Sequence, residues 1–250
     1  MSTESAVETA APRPQRFAGR RVVVTGASGG VGGSLCELFR AEGATVVGAD
    51  VVAAKGVEPV DLTDEGSIAD FAARALARLG GVDVLCNVAG VQAFAKVDEL
   101  SATLLRHHLD VNAVGPLLLT QAFAPALAEA RGNVVSVASI SALMGQPYNA
   151  AYCASKAALL LGMRSLAVEL AGRGIRVNCV SPGGIDTPMV ERAAHGLPAD
   201  VDWTLIAKSQ SVIPGFMPAT DVAESIMFLA SDAASSITGA NLVVDRGVIW

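Results

Sequence analysis

The chain has 250 residues, with 24 acidic against 18 basic side chains and a formal net charge of −6. Hydrophobic residues make up 52% and charged residues 17%, so a large core can form and extended disorder is excluded for most of the chain. The acidic balance contains no basic run, which argues against binding to a nucleic-acid backbone or an anionic membrane and leaves small-molecule chemistry.

Residues 1–17 are rich in Ala, Glu, Thr and Pro and lack the apolar centre of a signal peptide. They are expected to form a flexible tail before one domain spanning residues 18–250. From Arg21 onward, short β-branched runs alternate with longer segments of helical apolar spacing. The expected strands are Arg21–Thr25, Thr45–Asp50, Val57–Val60, Val82–Asn87, Asn133–Ala138, Arg176–Ser181 and Asn241–Val244. Most are continuously apolar, as parallel strands buried on both faces must be, and Gly33–Glu42, Leu104–Ala130 and Ala150–Ala171 read as crossover helices. The expected fold class is α/β: a Rossmann-type, doubly wound, seven-stranded parallel sheet flanked by helices. Such sheets bind ligands beyond the carboxyl ends of their strands.

Asp50, Arg164 and Glu169 interrupt the most hydrophobic regions, so no uninterrupted apolar stretch is expected to cross a bilayer and the protein is expected to be soluble. Cys36, Cys86, Cys153 and Cys179 are scattered without a CxxC pair, and His107, His108 and His195 add no metal-ligand spacing. Neither a metal site nor a disulfide framework is expected, and the scattered thiols fit a reducing cytoplasm.

The first strand runs into Thr25-Gly26-Ala27-Ser28-Gly29-Gly30-Val31-Gly32, which opens a helix. Glycines there permit a tight turn and close backbone approach, while the helix amino terminus offers free N–H groups to a pyrophosphate. About 20 residues on, Asp50 ends the second strand, where a carboxylate accepts hydrogen bonds from both ribose hydroxyls of the adenosine half. A 2′-phosphate would meet that negative charge, and Ala27, Ser28, Gly29 and Val51 supply no cation. The expected cofactor is NAD. A loop-capping carboxylate is the plainer reading of Asp50.

The TGxxxGxG spacing resembles the single-domain branch of the short-chain dehydrogenase/reductase family, and later segments agree with it in order. Asn87-Val88-Ala89-Gly90 resembles the family's NNAG motif, with Val88 for its second asparagine. Asn112 lies in Asp110-Val111-Asn112-Ala113, Ser139 follows the fifth strand, and Tyr152-Cys153-Ala154-Ser155-Lys156 matches YxxxK. Ser181-Pro182-Gly183-Gly184-Ile185-Asp186-Thr187-Pro188-Met189 matches the family's PG segment. The resemblance implies catalysis by Asn112, Ser139, Tyr152 and Lys156. It also implies cofactor contacts from Gly26, Ser28, Gly29, Gly30, Val31, Gly32, Asp50, Asp61, Leu62, Asn87, Ala89, Gly90, Tyr152, Lys156, Pro182, Gly183, Ile185 and Thr187.

Alcohol oxidation needs a base for the hydroxyl proton while hydride leaves the same carbon. A tyrosine with a reference pKa near 10 needs roughly 4 kcal/mol of phenolate stabilisation to titrate near neutrality. Tyr152 and Lys156, spaced i, i+4, share a helix face, and the ammonium together with a positive nicotinamide ring is expected to supply it. Ser139 is placed to hydrogen-bond the substrate oxygen. It precedes the tyrosine by the family's thirteen positions, which Ser141 and Ser136 do not. That Asn112 holds a water linking Lys156 to solvent is implied by the resemblance alone; a buried amide satisfying backbone groups is the alternative. Asp61 either contacts adenine, as in relatives, or caps the next helix.

Residues 189–217 occupy the place of the family's variable substrate lid. They include Trp203, Leu205, Ile206, Val212 and Phe216 with few cations, so an apolar pocket for a hydrophobic or cyclic secondary alcohol or its ketone is expected, with Ser141, Gln146, Gly184, Met189 and Trp203 touching the substrate. A 3-oxoacyl-thioester reductase is the alternative enzyme, opposed by Asp50 and the acidic balance. A catalytically silent dinucleotide sensor has no need of Tyr152, Lys156 and Ser139 together, and the chain is short for an epimerase or dehydratase. The resemblance implies a homotetramer built through the helices carrying Asn112 and Tyr152, with the terminal Gly247-Val248-Ile249-Trp250 placed to reach a neighbour. Arg246 stands where the family has a second glycine, which leaves the last turn open.

Overall fold

The apolar runs form seven parallel strands in the order β3-β2-β1-β4-β5-β6-β7. They are β1 (Arg21–Thr25), β2 (Thr45–Asp50), β3 (Val57–Pro59), β4 (Val84–Asn87), β5 (Asn133–Val137), β6 (Arg176–Pro182) and β7 (Asn241–Val244). These coordinates, a computed structural model, describe residues 13–52, 54–207 and 210–248. The expected fold class is the observed one, with strand ends differing by one or two residues. Val82 is buried just ahead of β4, where the next residue, Asp83, accepts hydrogen bonds from Arg21 N and Nε at the foot of the sheet.

Each central strand is apolar on both faces because both are covered. Val22 and Val24 of β1 pack with Leu35 and Phe39 of α1 (Gly30–Ala41) and Ile226 and Met227 of α8 (Ala219–Ala230). Val23, between them, faces the other layer, where Phe71 of α2 (Glu65–Leu79), Phe123 of α4 (Gly115–Ala130) and Leu159 of α5 (Ala150–Ala171) meet. Chain direction across the sheet reverses between β1 and β4, so the crevice at the carboxyl ends opens there.

The expected helix over 104–130 is longer and interrupted. Ser101 caps α3 (Ala102–Leu109) by accepting from Leu104 N, and α3 passes into α4 through one wide turn at Asp110–Val114. Such single wide turns recur at functional sites, and this one carries Asn112. The combined Ala102–Ala130 is long and apolar enough to cross a membrane by length and composition, contrary to expectation; half of its most apolar window is buried in the domain.

The expected tail does not run to residue 17. Phe17 is 1% exposed and stacks edge-on against Phe39 with ring centroids 4.7 Å apart. Arg16 grips the buried Glu42 carboxylate through Nε and Nη2, both at 2.6 Å. The folded body therefore includes Arg13–Phe17, and the rest of the expected tail, residues 1–12, lies outside the described residues. Phe17→Ala is expected to cost about 3 kcal/mol, the usual penalty for emptying a buried aromatic site. A urea titration checks this, and an unchanged midpoint would show the segment to be dispensable.

The last turn is settled by Arg246, which takes φ 58 itself and donates from Nη1 to Pro214 O at 2.9 Å. The guanidinium thus ties the turn to the lid, in a conformation glycine adopts more easily. Ile249 and Trp250 lie outside the described residues. All four cysteines are free, and no metal-holding cluster of His, Cys, Asp or Glu occurs among the described residues.

Candidate active site

A continuous cleft of about 940 Å³ runs along the carboxyl ends of the strands, from the glycine turn to the lid. Its first wall is the turn after β1. Gly26 has φ 72, and a Cβ there would lie 2.8 Å from Ala89 N; one on Gly32 would lie 2.1 Å from Gly26 O. Neither position admits a side chain. Helix α1 starts at Gly30, earlier than the expected Gly33, with no side-chain cap and no acidic residue in its first turn. Its first-turn residues Gly30, Val31 and Gly32 line the cleft, and their N–H groups, which have no carbonyl one turn back within the helix, are a donor set that fits a pyrophosphate.

Asp50 closes this end. Its Oδ2 accepts from Ser28 N and its Oδ1 from Val52 N, each at 3.0 Å. The carboxylate therefore braces the loop, as the plainer reading had it, and each oxygen keeps a lone pair for a ribose hydroxyl. Asp61 does not cap α2: Asp64 does, accepting from Gly66 N at 2.8 Å. Asp61 instead accepts from Thr63 N and Oγ1 at the cleft edge, and those bonds lower its pKa.

At the centre of the cleft, α5 presents Tyr152 and Lys156 on one face, and Ser139 follows β5. The Lys156 Nζ lies 5.7 Å from the Tyr152 ring centroid and donates to Val137 O at 2.8 Å. Without cofactor, burial pushes Tyr152 up to about 12, against a smaller lowering by a hydrogen bond with Ser139, so the lowering expected of the working site must come with the positive nicotinamide ring. Burial likewise brings Lys156 down to about 8, so the ammonium beside the phenol persists at neutral pH but at a desolvation cost. Desolvation is the largest cause of both shifts because both groups sit inside the domain.

Two expected residues stand behind the cleft rather than in it. Asn112 is fully buried: its Oδ1 accepts from Val91 N at 2.8 Å, while its Nδ2 donates to Val91 O and Ser155 Oγ, both at 2.9 Å. It clamps the turn after β4, as a buried amide satisfying backbone groups would; both Nδ2 hydrogens are used, and Oδ1 keeps one lone pair. Asn87 is buried with Nδ2 on Ser136 Oγ at 3.2 Å, so it holds the β4 and β5 ends together and does not line the cleft. The other expected cofactor residues do line it, as do Ser141, Gln146, Gly184, Met189 and Trp203.

The lid includes α6 (Pro188–His195) and α7 (Trp203–Ile206). Ile206 and Phe216 line the cleft, whereas Leu205 and Val212 do not. Gln92, Phe94, His107 and Arg192 line it without having been expected. Gln92 and Phe94 follow β4 directly, so the rule placing ligands beyond strand ends was a sufficient signal. His107 and Arg192 carried none, because their helix faces are set by tertiary packing. The lid is fastened by the Lys96–Asp200 ion pair and by Tyr148, whose hydroxyl accepts from Asp202 N at 3.0 Å.

A glycine turn cradling a helix amino terminus, with a buried Tyr, Lys and Ser at the far end of the same cleft, defines a dinucleotide-dependent oxidoreductase. The family model described as enoyl-(acyl carrier protein) reductase matches residues 26–249, and the chain belongs to the short-chain dehydrogenase/reductase family. It is 39% identical to cis-4-hydroxycyclohexanecarboxylate dehydrogenase of Sinomonas cyclohexanicum, covering 93% of this chain and 98% of that protein. Among solved structures, a short-chain dehydrogenase from Burkholderia cenocepacia in complex with NADP aligns with TM-score 0.82 and 31% identity, over 93% of this chain and 99% of the other. A short-chain dehydrogenase from Mycobacterium paratuberculosis bound to NAD aligns with TM-score 0.84 and 26% identity, over 93% and 98%.

Proposed function

We propose that this protein transfers a hydride between NAD(H) and a hydrophobic or cyclic secondary alcohol or its ketone, with Tyr152 as general acid/base. The carrying observation is the convergence of Tyr152, Ser139 and Lys156 in one cleft with the glycine turn and Asp50. When bound there, the nicotinamide accepts or returns the hydride. Ser139 hydrogen-bonds the substrate oxygen as charge develops on it, and Tyr152 exchanges the hydroxyl proton. Lys156, pinned by Val137 O, holds positive charge beneath the phenol. Asn112 acts at a distance, fixing the Val91 backbone that forms part of the cleft wall.

Met189, Trp203, Ile206 and Phe216 favour an apolar substrate, and the Sinomonas relative acts, by its name, on a cyclic alcohol. NAD rests on Asp50, since a 2′-phosphate would be repelled there. Incubation with NAD or NADP and a panel of secondary alcohols, following reduced nicotinamide, tests cofactor and substrate together. Asp50→Ser is expected to lower kcat/KM for NAD roughly tenfold to a hundredfold, the worth of charge-assisted hydrogen bonds, while NADP gains. A wild-type preference for NADP would refute the assignment.

Homotetramer formation is part of the same reading. Leu161 and Val168 of α5 are 69% and 82% exposed, an apolar face suited to a second copy. A monomer in sedimentation would contradict it. A reducing cytoplasmic location accords with the four free thiols.

A further inference from the structure

We propose that Gln146 selects substrates carrying a second, hydrogen-bond-accepting oxygen, and that Asn149 is the positioning residue that fixes Gln146 in this role. The inference rests on the alcohol-oxidoreductase reading above and adds to it a demand on the rest of the substrate.

The observation is a line of side chains leading away from the catalytic serine. Ser139 Oγ donates to Ser141 Oγ at 3.1 Å, Ser141 Oγ donates to Gln146 Oε1 at 2.6 Å, and Asn149 Nδ2 donates to the same Oε1 at 3.0 Å. Two donors converge on one oxygen, so the carboxamide is held with Oε1 inward. Its Nε2 has no partner among the described residues, is not among their buried unpaired atoms, and belongs to a residue lining the cleft. The amide therefore offers the cleft N–H donors and no acceptor.

The opposite orientation is disfavoured by Asn149. Turning Gln146 over would set its NH2 against the NH2 of Asn149. Turning both would leave Asn149's NH2 unpaired, in a residue 1% exposed, in place of the carbonyl Oδ1 that is unpaired now. Buried orphan donors are rarer than under-satisfied carbonyls.

The surrounding wall is apolar, with Met189, Trp203 and Phe216. A purely hydrocarbon substrate covering Nε2 would strip its water and return no bond, whereas an ether, carbonyl or carboxylate oxygen would replace that water. Ser139 and Gln146 are joined through Ser141 by hydrogen bonds of 3.1 and 2.6 Å, so both lie on one stretch of the cleft that a single cyclic substrate can contact.

The test compares kcat/KM for 4-methoxycyclohexanol and 4-ethylcyclohexanol, each as its separate cis and trans isomers, with whichever of NAD or NADP supports turnover. The pair differs by one oxygen in place of a methylene. The wild type is expected to favour the ether roughly tenfold or more, mostly through KM. Gln146→Met is expected to bring the ratio to about one, and Asn149→Ala to reduce it. A destabilised protein loses rate on both substrates alike, so the ratio reports orientation and not folding; should Asn149→Ala fail to fold, Gln146→Met decides. Turnover of both alcohols with equal efficiency by the wild type, or a preference surviving in Gln146→Met, overturns this inference alone. Turnover of neither alcohol by the wild type overturns the alcohol-oxidoreductase reading and this inference with it.

Discussion

Tyr152→Phe is expected to lower kcat/KM by roughly 10³-fold while leaving the urea midpoint close to that of the wild type. The ring stays in place and only the phenolic oxygen goes, so what is lost is the proton transfer, typically worth 10²–10⁴ in rate. The pKa shift adds a condition. With burial holding Tyr152 at about 12, the phenol of the cofactor-free protein stays protonated at neutral pH. Deprotonation therefore waits for positive charge to enter the cleft with the oxidised cofactor. Oxidation by the wild type should accelerate as pH rises, with a midpoint well below 12, and Tyr152→Phe should lose that rise. Measuring both pH profiles under saturating cofactor checks this, and retention of wild-type rates by the variant would remove Tyr152 from the mechanism.

Lys156→Met is expected to move activity and stability in opposite directions: turnover falls, yet the folded state gains up to about 3 kcal/mol at pH 7. Lys156 titrates at about 8 in the folded chain against a reference of 10.5, because the buried ammonium has given up its water. Each unit of that shift corresponds to about 1.4 kcal/mol. A depressed lysine pKa means that between these two values the unfolded chain binds more protons than the folded one. Its contribution to stability therefore rises with pH across that window, and below 8 the penalty is present in full. Methionine removes the penalty, so its advantage should be greatest at pH 7 and fade as pH climbs past 8 toward 10.5. Buried thiols at Cys36 and Cys86, with raised pKa values, destabilise the folded state above pH 9 in both proteins and cancel in the comparison, whereas Cys179, whose thiol Lys156 pulls down, rises further in the variant and adds to its loss at high pH. Urea titrations of both proteins at pH 7 and 10 check the sign. A variant less stable than the wild type at pH 7 would show that the bond to Val137 O outweighs the desolvation.

The two substitutions together separate the roles of neighbours that share one helix face. Tyr152 is buried as a neutral group at little cost and becomes expensive only when it must ionise. Lys156 is costly at rest, and a charge kept in the interior against its solvation is more often functional than structural. That the cost falls on the residue beside the reacting phenol agrees with the proposed chemistry.

What the sequence by itself determined was everything local in origin. The strands were legible because a strand covered on both faces must be apolar at every position, and the glycine turn because only residues without a Cβ fit where Gly26 and Gly32 approach other backbone. The shared face of Tyr152 and Lys156 follows from helical period alone. Tertiary structure decided what depends on burial and on distant partners. It placed Asn112 and Asn87 behind the cleft, since their amides are claimed by Val91, Ser155 and Ser136, residues whose nearness no local pattern encodes. It raised the tyrosine's pKa in the cofactor-free chain, because spacing gives the proximity of a charge but not the solvent lost around it. It took Phe17 and Arg16 into the body through Phe39 and Glu42, and gave the helix cap expected of Asp61 to Asp64. The orientation of Gln146 likewise exists only once Ser141 and Asn149 are folded against it: an amide has two ends, and only its hydrogen-bond partners decide which one faces the ligand.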